Sequence, residues 1–186
     1  MRLILASASP RRAELLTAAG FEFDVMPADV DETPLAGENP LQYALRVARD
    51  KASSIQSRCP ESGATILSAD TVVVVNGEIL GKPQDPDDAR RMLRLLSGGP
   101  HEVHTAVVVR RGPMERSQTV TTQVWVQPLD EMEISWYVDS REPEGKAGAY
   151  AIQGRAARFI ERIDGSWSNV VGLPIATVYR LLHELP

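Results

Sequence analysis

Asp70 lies in the stretch TILSADTVVVV, residues 65–75, otherwise apolar and rich in β-branched side chains. An ionised carboxylate in such a run is costly to bury unless it is paired or bound to a metal. Ligands gather at strand ends in α/β sheets, so Asp70 could activate a water there, directly or through a metal. A bulge or turn in which Asp70 caps backbone groups is the alternative. A second group is Ser7-x-Ser9-Pro10-Arg11-Arg12. Ser9 and Pro10 have the form of a helix start, whose free N–H groups favour anions. Arg11 and Arg12 oppose the helix dipole, each at a cost of about 0.3–1 kcal/mol, unless an anion such as phosphate sits between them and the backbone donors. Otherwise both side chains bend into solvent.

Weaker signals accompany these two. Asp29-x-Asp31-Glu32 offers loop carboxylates that could hold Mg²⁺, or form a solvated acidic turn. The chain has 17 arginines and three lysines, Lys51, Lys82 and Lys146. Each lysine falls beside another motif: Lys51 on the polar side of a helix, Lys82 in Gly-Lys-Pro, Lys146 in a Gly-rich loop. A lone lysine is usually a solvated surface group. Gln153 in Ile-Gln-Gly carries a donor and an acceptor suited to the edge of a base, or to ordinary strand-end hydrogen bonding. His101 and His104, three apart on a strand, face opposite sides and read as structural. Trp125, Trp136 and Trp167 read as packing residues.

The elements that would position these groups follow from periodicity and punctuation. Residues 2–6 form a short buried strand, and 10–19 a helix stopped at Gly20. Phe21, Phe23 and Val25 alternate as a strand. A helix opens at Asn39-Pro40 and runs to about residue 55, with Tyr43 and Val47 facing the core. Asn76-Gly77 is a hairpin turn with Ile79 and Leu80 on its return arm. Asp85-Pro86 starts a helix to about Ser97. Residues 103–110 and 119–126 are strands joined at Gly112-Pro113. A helix covers about 130–140, short strands cover 150–153 and 158–163, residues 165–174 are a loop, and a last helix ends the chain. Helices and strands intermix throughout, so the fold class is α/β with a mixed sheet.

The 186 residues suffice for one α/β domain with a substantial core, with room for two lobes around a cleft. Net charge −5 makes a nucleic-acid polymer a poor partner. No apolar run approaches the roughly 20 residues of a membrane helix, and the start lacks the form of a secretory signal. One cysteine, Cys59, excludes an intrachain disulfide and fits a reducing, cytoplasmic setting.

Taken together, the motifs resemble the Maf family of nucleotide pyrophosphatases. They are Ser7-Ala8-Ser9-Pro10-Arg11-Arg12, Val30-Asp31-Glu32, Ala48-Arg49-Asp50-Lys51-Ala52, Ala69-Asp70-Thr71-Val72, Gly81-Lys82-Pro83, and Leu96-Ser97-Gly98. Further along come His101-x-Val103-x-Thr105, Glu142-Pro143-x-x-Lys146-Ala147-Gly148-Ala149-Tyr150-x-Ile152-Gln153-Gly154 and Asn169-Val170-Val171-Gly172-Leu173-Pro174. The resemblance implies a Maf-like fold related to the inosine triphosphate pyrophosphatase architecture, as a single domain over 1–186. It implies hydrolysis of a nucleoside triphosphate to monophosphate and pyrophosphate, with Mg²⁺ or Mn²⁺, and often a homodimer. Asp70 would take the proton of the attacking water. Ser7, Arg11, Arg12, Lys51 and Lys82 would contact phosphates, and Glu32 with Asp70 would bind the metal. Arg11, Thr71 and Gln153 match the branch that prefers dTTP and UTP. The alternatives are the 7-methylguanosine triphosphate branch and a nucleotide-binding regulator of septum formation that does not turn its ligand over.

Overall fold

The computed structural model describes residues 2–59 and 63–185. Residues 60–62, within the signature-free segment 59–63, lie outside the described residues. The strands are β1 (Leu3–Leu5), β2 (Asp24–Val25), β3 (Thr65–Val75), β4 (Glu78–Leu80), β5 (Pro100–Arg111), β6 (Met114–Val126) and β7 (Ile160–Asp164). The helices are α1 (Pro10–Ala18), α2 (Pro40–Arg58), α3 (Pro86–Leu96), α4 (Glu131–Asp139), α5 (Trp167–Val171) and α6 (Ile175–His183). The seven strands form one mixed sheet in the order β2-β1-β3-β5-β6-β7, with β4 on β3. β1 pairs parallel with β2 and β3, whereas β3–β4 and β6–β7 are antiparallel.

The chain divides into two compact units, one of Met1–Asp70, Thr105–Val120 and Gly172–Pro186, the other of Thr71–His104 and Thr121–Val171. In the first, the two-residue strand period sorts the side chains. Leu3, Leu5, Leu67, Ala69, Val107 and Val109 share one face and join Leu16 of α1 and Val178, Leu181 and Leu182 of α6 in a single buried cluster. Ser68 and Asp70 project from the opposite face, and both meet α2: Ser68 Oγ donates to the Ala48 carbonyl at 2.7 Å, and Lys51 Nζ reaches Asp70. α2 begins in a full capping box between Asn39 and Gln42, with Pro40 in its first turn.

The second unit is held by helices whose starts were legible. Asp85 caps α3 by accepting from Asp88 N, and Asp130 and Glu133 cap α4 reciprocally. Arg94 of α3 makes a two-pronged pair with Glu131 of α4 at 2.8 Å through both nitrogens. Tyr137 of α4 is wholly buried and packs edge-on against Phe159. Gly148 is required twice over. Its φ is +70°, and a Cβ there would lie 2.9 Å from the Val73 side chain, while its N–H bonds the Gly81 carbonyl at 3.1 Å.

Some expectations change. Residues 150–153 form no strand. Gly154 N closes a turn onto the Ala151 carbonyl at 3.0 Å, and Ala149 adopts φ +58°, which breaks any extended run. The strand expected over 158–163 begins at Ile160, after a short 3₁₀ segment, Arg155–Phe159. Residues 165–174 are not all loop, because Ser166 Oγ accepts from Asn169 N at 3.3 Å and starts the short α5. Around Phe21 and Phe23 only Asp24–Val25 pairs as strand, and both rings instead pack against the apolar cluster. Asp70 sits inside the regular β3 and caps no turn. Trp136 and Trp167 stay close to half exposed, and Arg158 lies over the Trp136 ring at 4.3 Å.

His101 packs as a structural residue. It is 2% exposed and hydrogen-bonds Tyr150 through Nε2 at 2.8 Å. Burial lowers its pKa to about 4. The unfolded chain takes up this proton near the ordinary histidine value of about 6.5, the folded chain only near 4. The stability from neutral His101 is therefore complete above about 6.5 and lost as pH falls to about 4, on the order of 3 kcal/mol. Urea denaturation across that window should show the loss in the wild type, and a shallower slope in His101→Gln.

Candidate active site

Position along two elements brings the first charges together. Ser68 and Asp70 are two apart on β3, and their partners Ala48 and Lys51 are three apart on α2, steps of comparable length along strand and helix. Asp70 is 7% exposed and Lys51 8%. The Lys51 ammonium donates to Asp70 Oδ1 at 2.8 Å and lies 2.7 Å from Glu32 Oε1. One cation thus joins two carboxylates, one buried and one partly exposed. Burial pushes the Asp70 carboxyl above the usual carboxylate range, while Lys51 and Arg12 pull it back. An acid held so suits proton transfer near neutral pH better than a free aspartate.

Arg12 does not bend into solvent. It is 8% exposed, its Nε donates to the Gly172 carbonyl at 2.8 Å, and Nη1 donates to Ser7 Oγ at 3.2 Å. Burial lowers its pKa, and the Asp70 charge acts in the opposite direction. Ser9 takes the N-cap position without a side-chain cap bond, and Ser7 Oγ instead accepts from the Ser9 N–H at 3.2 Å. Arg11 is the next residue back on α1, and its like charge also bears on Arg12.

Two residues that sequence reasoning passed over hold Glu32 in place. Tyr43, read only as a core residue, donates its hydroxyl to the Glu32 carbonyl at 2.8 Å. Burial and the nearby Asp70 and Glu32 charges raise its pKa to about 12, so the phenol remains a donor. Arg46 donates to the Thr33 carbonyl at 3.0 Å and to Glu38 at 2.7 Å. Both project from α2 at the spacing that faces one loop (i, i+3), a signal visible only once that loop is known to fold over the helix.

The first unit therefore holds Ser7, Arg11, Arg12, Glu32, Lys51 and Asp70. Asp70 is its last residue before the second unit opens at Thr71. Lys82 and Gln153 belong to the second unit, where each is exposed. Lys146 donates to the Glu142 carbonyl at 2.6 Å. His104 bonds Thr121 Oγ1 at 2.8 Å and approaches Glu102 at 3.2 Å.

A mixed-sheet α/β protein carrying a buried carboxylate between cationic side chains is the class that these elements define. The chain belongs to the Maf family: the family model described as "Maf-like protein" matches residues 2–185. It is 54% identical over 187 residues to a protein named "dTTP/UTP pyrophosphatase" from Anaeromyxobacter dehalogenans, covering 98% of this chain and 93% of that one. It is 52% identical to one of the same name from Geobacter sulfurreducens, over 99% of this chain and 96% of that one. The match to one from Aliivibrio fischeri is 46%, over 98% and 97%. Among solved structures, the Staphylococcus aureus Ham1 protein aligns over all of both chains with a TM-score of 0.55 and 12% identity, a likeness of fold.

The ion-pair geometry predicts unequal costs. Lys51→Met leaves the Asp70 charge buried and unpaired, and should cost about 3–5 kcal/mol in urea denaturation. Glu32→Gln removes a partner whose side chain is 40% exposed, and should cost under about 1 kcal/mol.

Proposed function

We propose that this protein hydrolyses dTTP and UTP to the monophosphate and pyrophosphate, with Asp70 as the base that takes the proton of the attacking water. The observation that carries this reading is Asp70 itself, a buried carboxylate of raised pKa held by Lys51 at 2.8 Å in a chain of this family. The relatives' shared name supports the substrate pair.

The basic groups have work that a buried acid alone could not do. Arg12 presents a fixed guanidinium beside the Ser7 hydroxyl, both close to a helix start whose N–H groups favour anions. Arg11, Lys51 and Lys82 add positive charge for the triphosphate. Charge gathers on the leaving pyrophosphate as the bond breaks, and fixed cations stabilise it there without reorganising. Thr71 and Gln153 meet the nucleoside, Gln153 with an amide suited to the imide edge of uracil or thymine.

Glu32 and Asp70 would hold a divalent cation. Their oxygens already converge on one positive charge, the Lys51 ammonium. Among the described residues no group of three or more His, Cys, Asp or Glu side chains could hold an ion alone. Two carboxylates with the remaining positions left to water and phosphate suit Mg²⁺ or Mn²⁺. Such an ion, when bound, neutralises phosphate charge. A cytoplasmic location and a homodimer complete the proposal. Among the described residues no helix is long and apolar enough to cross a membrane.

Purified protein with Mg²⁺ or Mn²⁺ should release pyrophosphate, not phosphate, from dTTP and UTP. Asp70→Asn should keep the fold by circular dichroism and lower kcat about 100- to 10,000-fold. Undiminished turnover in that variant would remove Asp70 from the chemistry. Release mainly from 7-methylguanosine triphosphate would reassign the substrate, and binding without release would make the protein a nucleotide sensor.

A further inference from the structure

Gln153 rides on a turn whose two ends are tied to a hydrogen-bonded pair, the buried Tyr137 and the partly buried Glu142. The turn closes from Gly154 N to the Ala151 carbonyl at 3.0 Å, with Ile152 buried and Gln153 exposed at its tip. On the near side, Ala151 N donates to the Tyr137 hydroxyl at 3.1 Å. On the far side, Glu142 Oε2 accepts from Arg155 N at 3.0 Å, and Oε1 from Ala156 N at 3.4 Å. Tyr137 then donates its own hydroxyl to Glu142 Oε1 at 2.9 Å, which closes the ring of contacts. Burial and the Glu142 bond hold the Tyr137 phenol well above its usual pKa, so it remains the donor in that pair.

The fit against Gly154 is equally close. A Cβ on Gly154 would lie 2.4 Å from Glu142 Oε2, although the Gly154 backbone, at φ −110°, is not in the left-handed region. The glycine is there to admit the carboxylate. Glu142 in turn is set by the end of α4, where Ser140 Oγ accepts from Glu142 N at 3.3 Å.

We propose that Glu142, with Tyr137, is a positioning residue for pyrimidine selection: it fixes the turn that aims Gln153 at the base. This rests on the proposed reading of Gln153 as the group that meets the base edge. A glutamine amide can rotate by half a turn and offer either a donor or an acceptor. It separates uracil (N3–H donor, O4 acceptor) from cytosine (N3 acceptor, N4–H₂ donor) more sharply when the turn that carries it is held at one distance and angle to the base. Donors left unpaired against the wrong base then cost selectivity. Glu142 touches no reacting atom in this scheme. Its contribution is to tie the turn that carries Gln153.

The test compares wild type, Gln153→Ala, Glu142→Gln and Tyr137→Phe. Tyr137→Phe retains the ring that packs on Phe159, so it stands in if Glu142→Gln fails to fold. The first readout is the UTP-to-CTP ratio of kcat/KM. The second is amide hydrogen exchange in the segment 150–159. In Glu142→Gln and Tyr137→Phe the ratio should fall about tenfold, as in Gln153→Ala, with faster exchange in that segment. A ratio unchanged in both variants while Gln153→Ala lowers it would overturn the proposal and leave the Gln153 reading intact, even if melting temperature drops. If Gln153→Ala itself leaves the ratio unchanged, the base reading falls. Exchange then decides whether Glu142 holds the turn: faster exchange supports it, and unchanged exchange overturns it.

Discussion

The contact between Lys51 and Asp70 is the constraint on which the first unit depends. A carboxylate at 7% exposure on an interior strand would be untenable alone, and an ammonium at 8% exposure on the covering helix equally so. Each offsets part of the other's penalty, and the bond also fixes where α2 lies along β3, because the Ser68–Ala48 contact sits one helical turn away from it. Buried ion pairs seldom add net stability over an apolar pair of the same shape. Retaining one here makes sense as chemistry: β3 delivers an acid, α2 delivers a cation, and Glu32 is drawn to the same cation.

Much of this was legible in the sequence because local rules applied. The helix starts at Asn39-Pro40 and Asp85-Pro86 and the Asn76-Gly77 turn all depend on neighbours within a few residues. The identity of the site residues came through motif resemblance, and the fold then places six of them in one unit. What escaped the sequence depends on contacts between distant segments. Tyr43 looked like core because its hydroxyl partner lies in a loop 11 residues earlier. The stretch 150–153 looked like strand because alternation cannot show that Ala151 N bonds a side chain on α4 instead of a neighbouring strand. The bond from Arg12 to the Gly172 carbonyl joins residues 160 positions apart, beyond any local rule.

The division between arginine and lysine follows their chemistry. Arginine serves where several fixed bonds are wanted: Arg94 forks onto Glu131, Arg46 spans Glu38 and Thr33, and Arg12 spans Ser7 and Gly172. Lysine appears where a compact charge must sit between oxygens, as Lys51 does between two carboxylates and Lys146 does over backbone carbonyls. A guanidinium at position 51 would need more room than the space between Glu32 and Asp70 provides.

Gly154 shows how one side chain can dictate the vocabulary of another position. Its φ of −110° lies outside the left-handed region, and the carboxylate of Glu142 lies where a methyl would go. Along a path of accumulating substitutions the order therefore matters: a side chain entering at 154 displaces the Glu142 carboxylate from Arg155 N and Ala156 N, whereas 142 can shorten while 154 is still glycine.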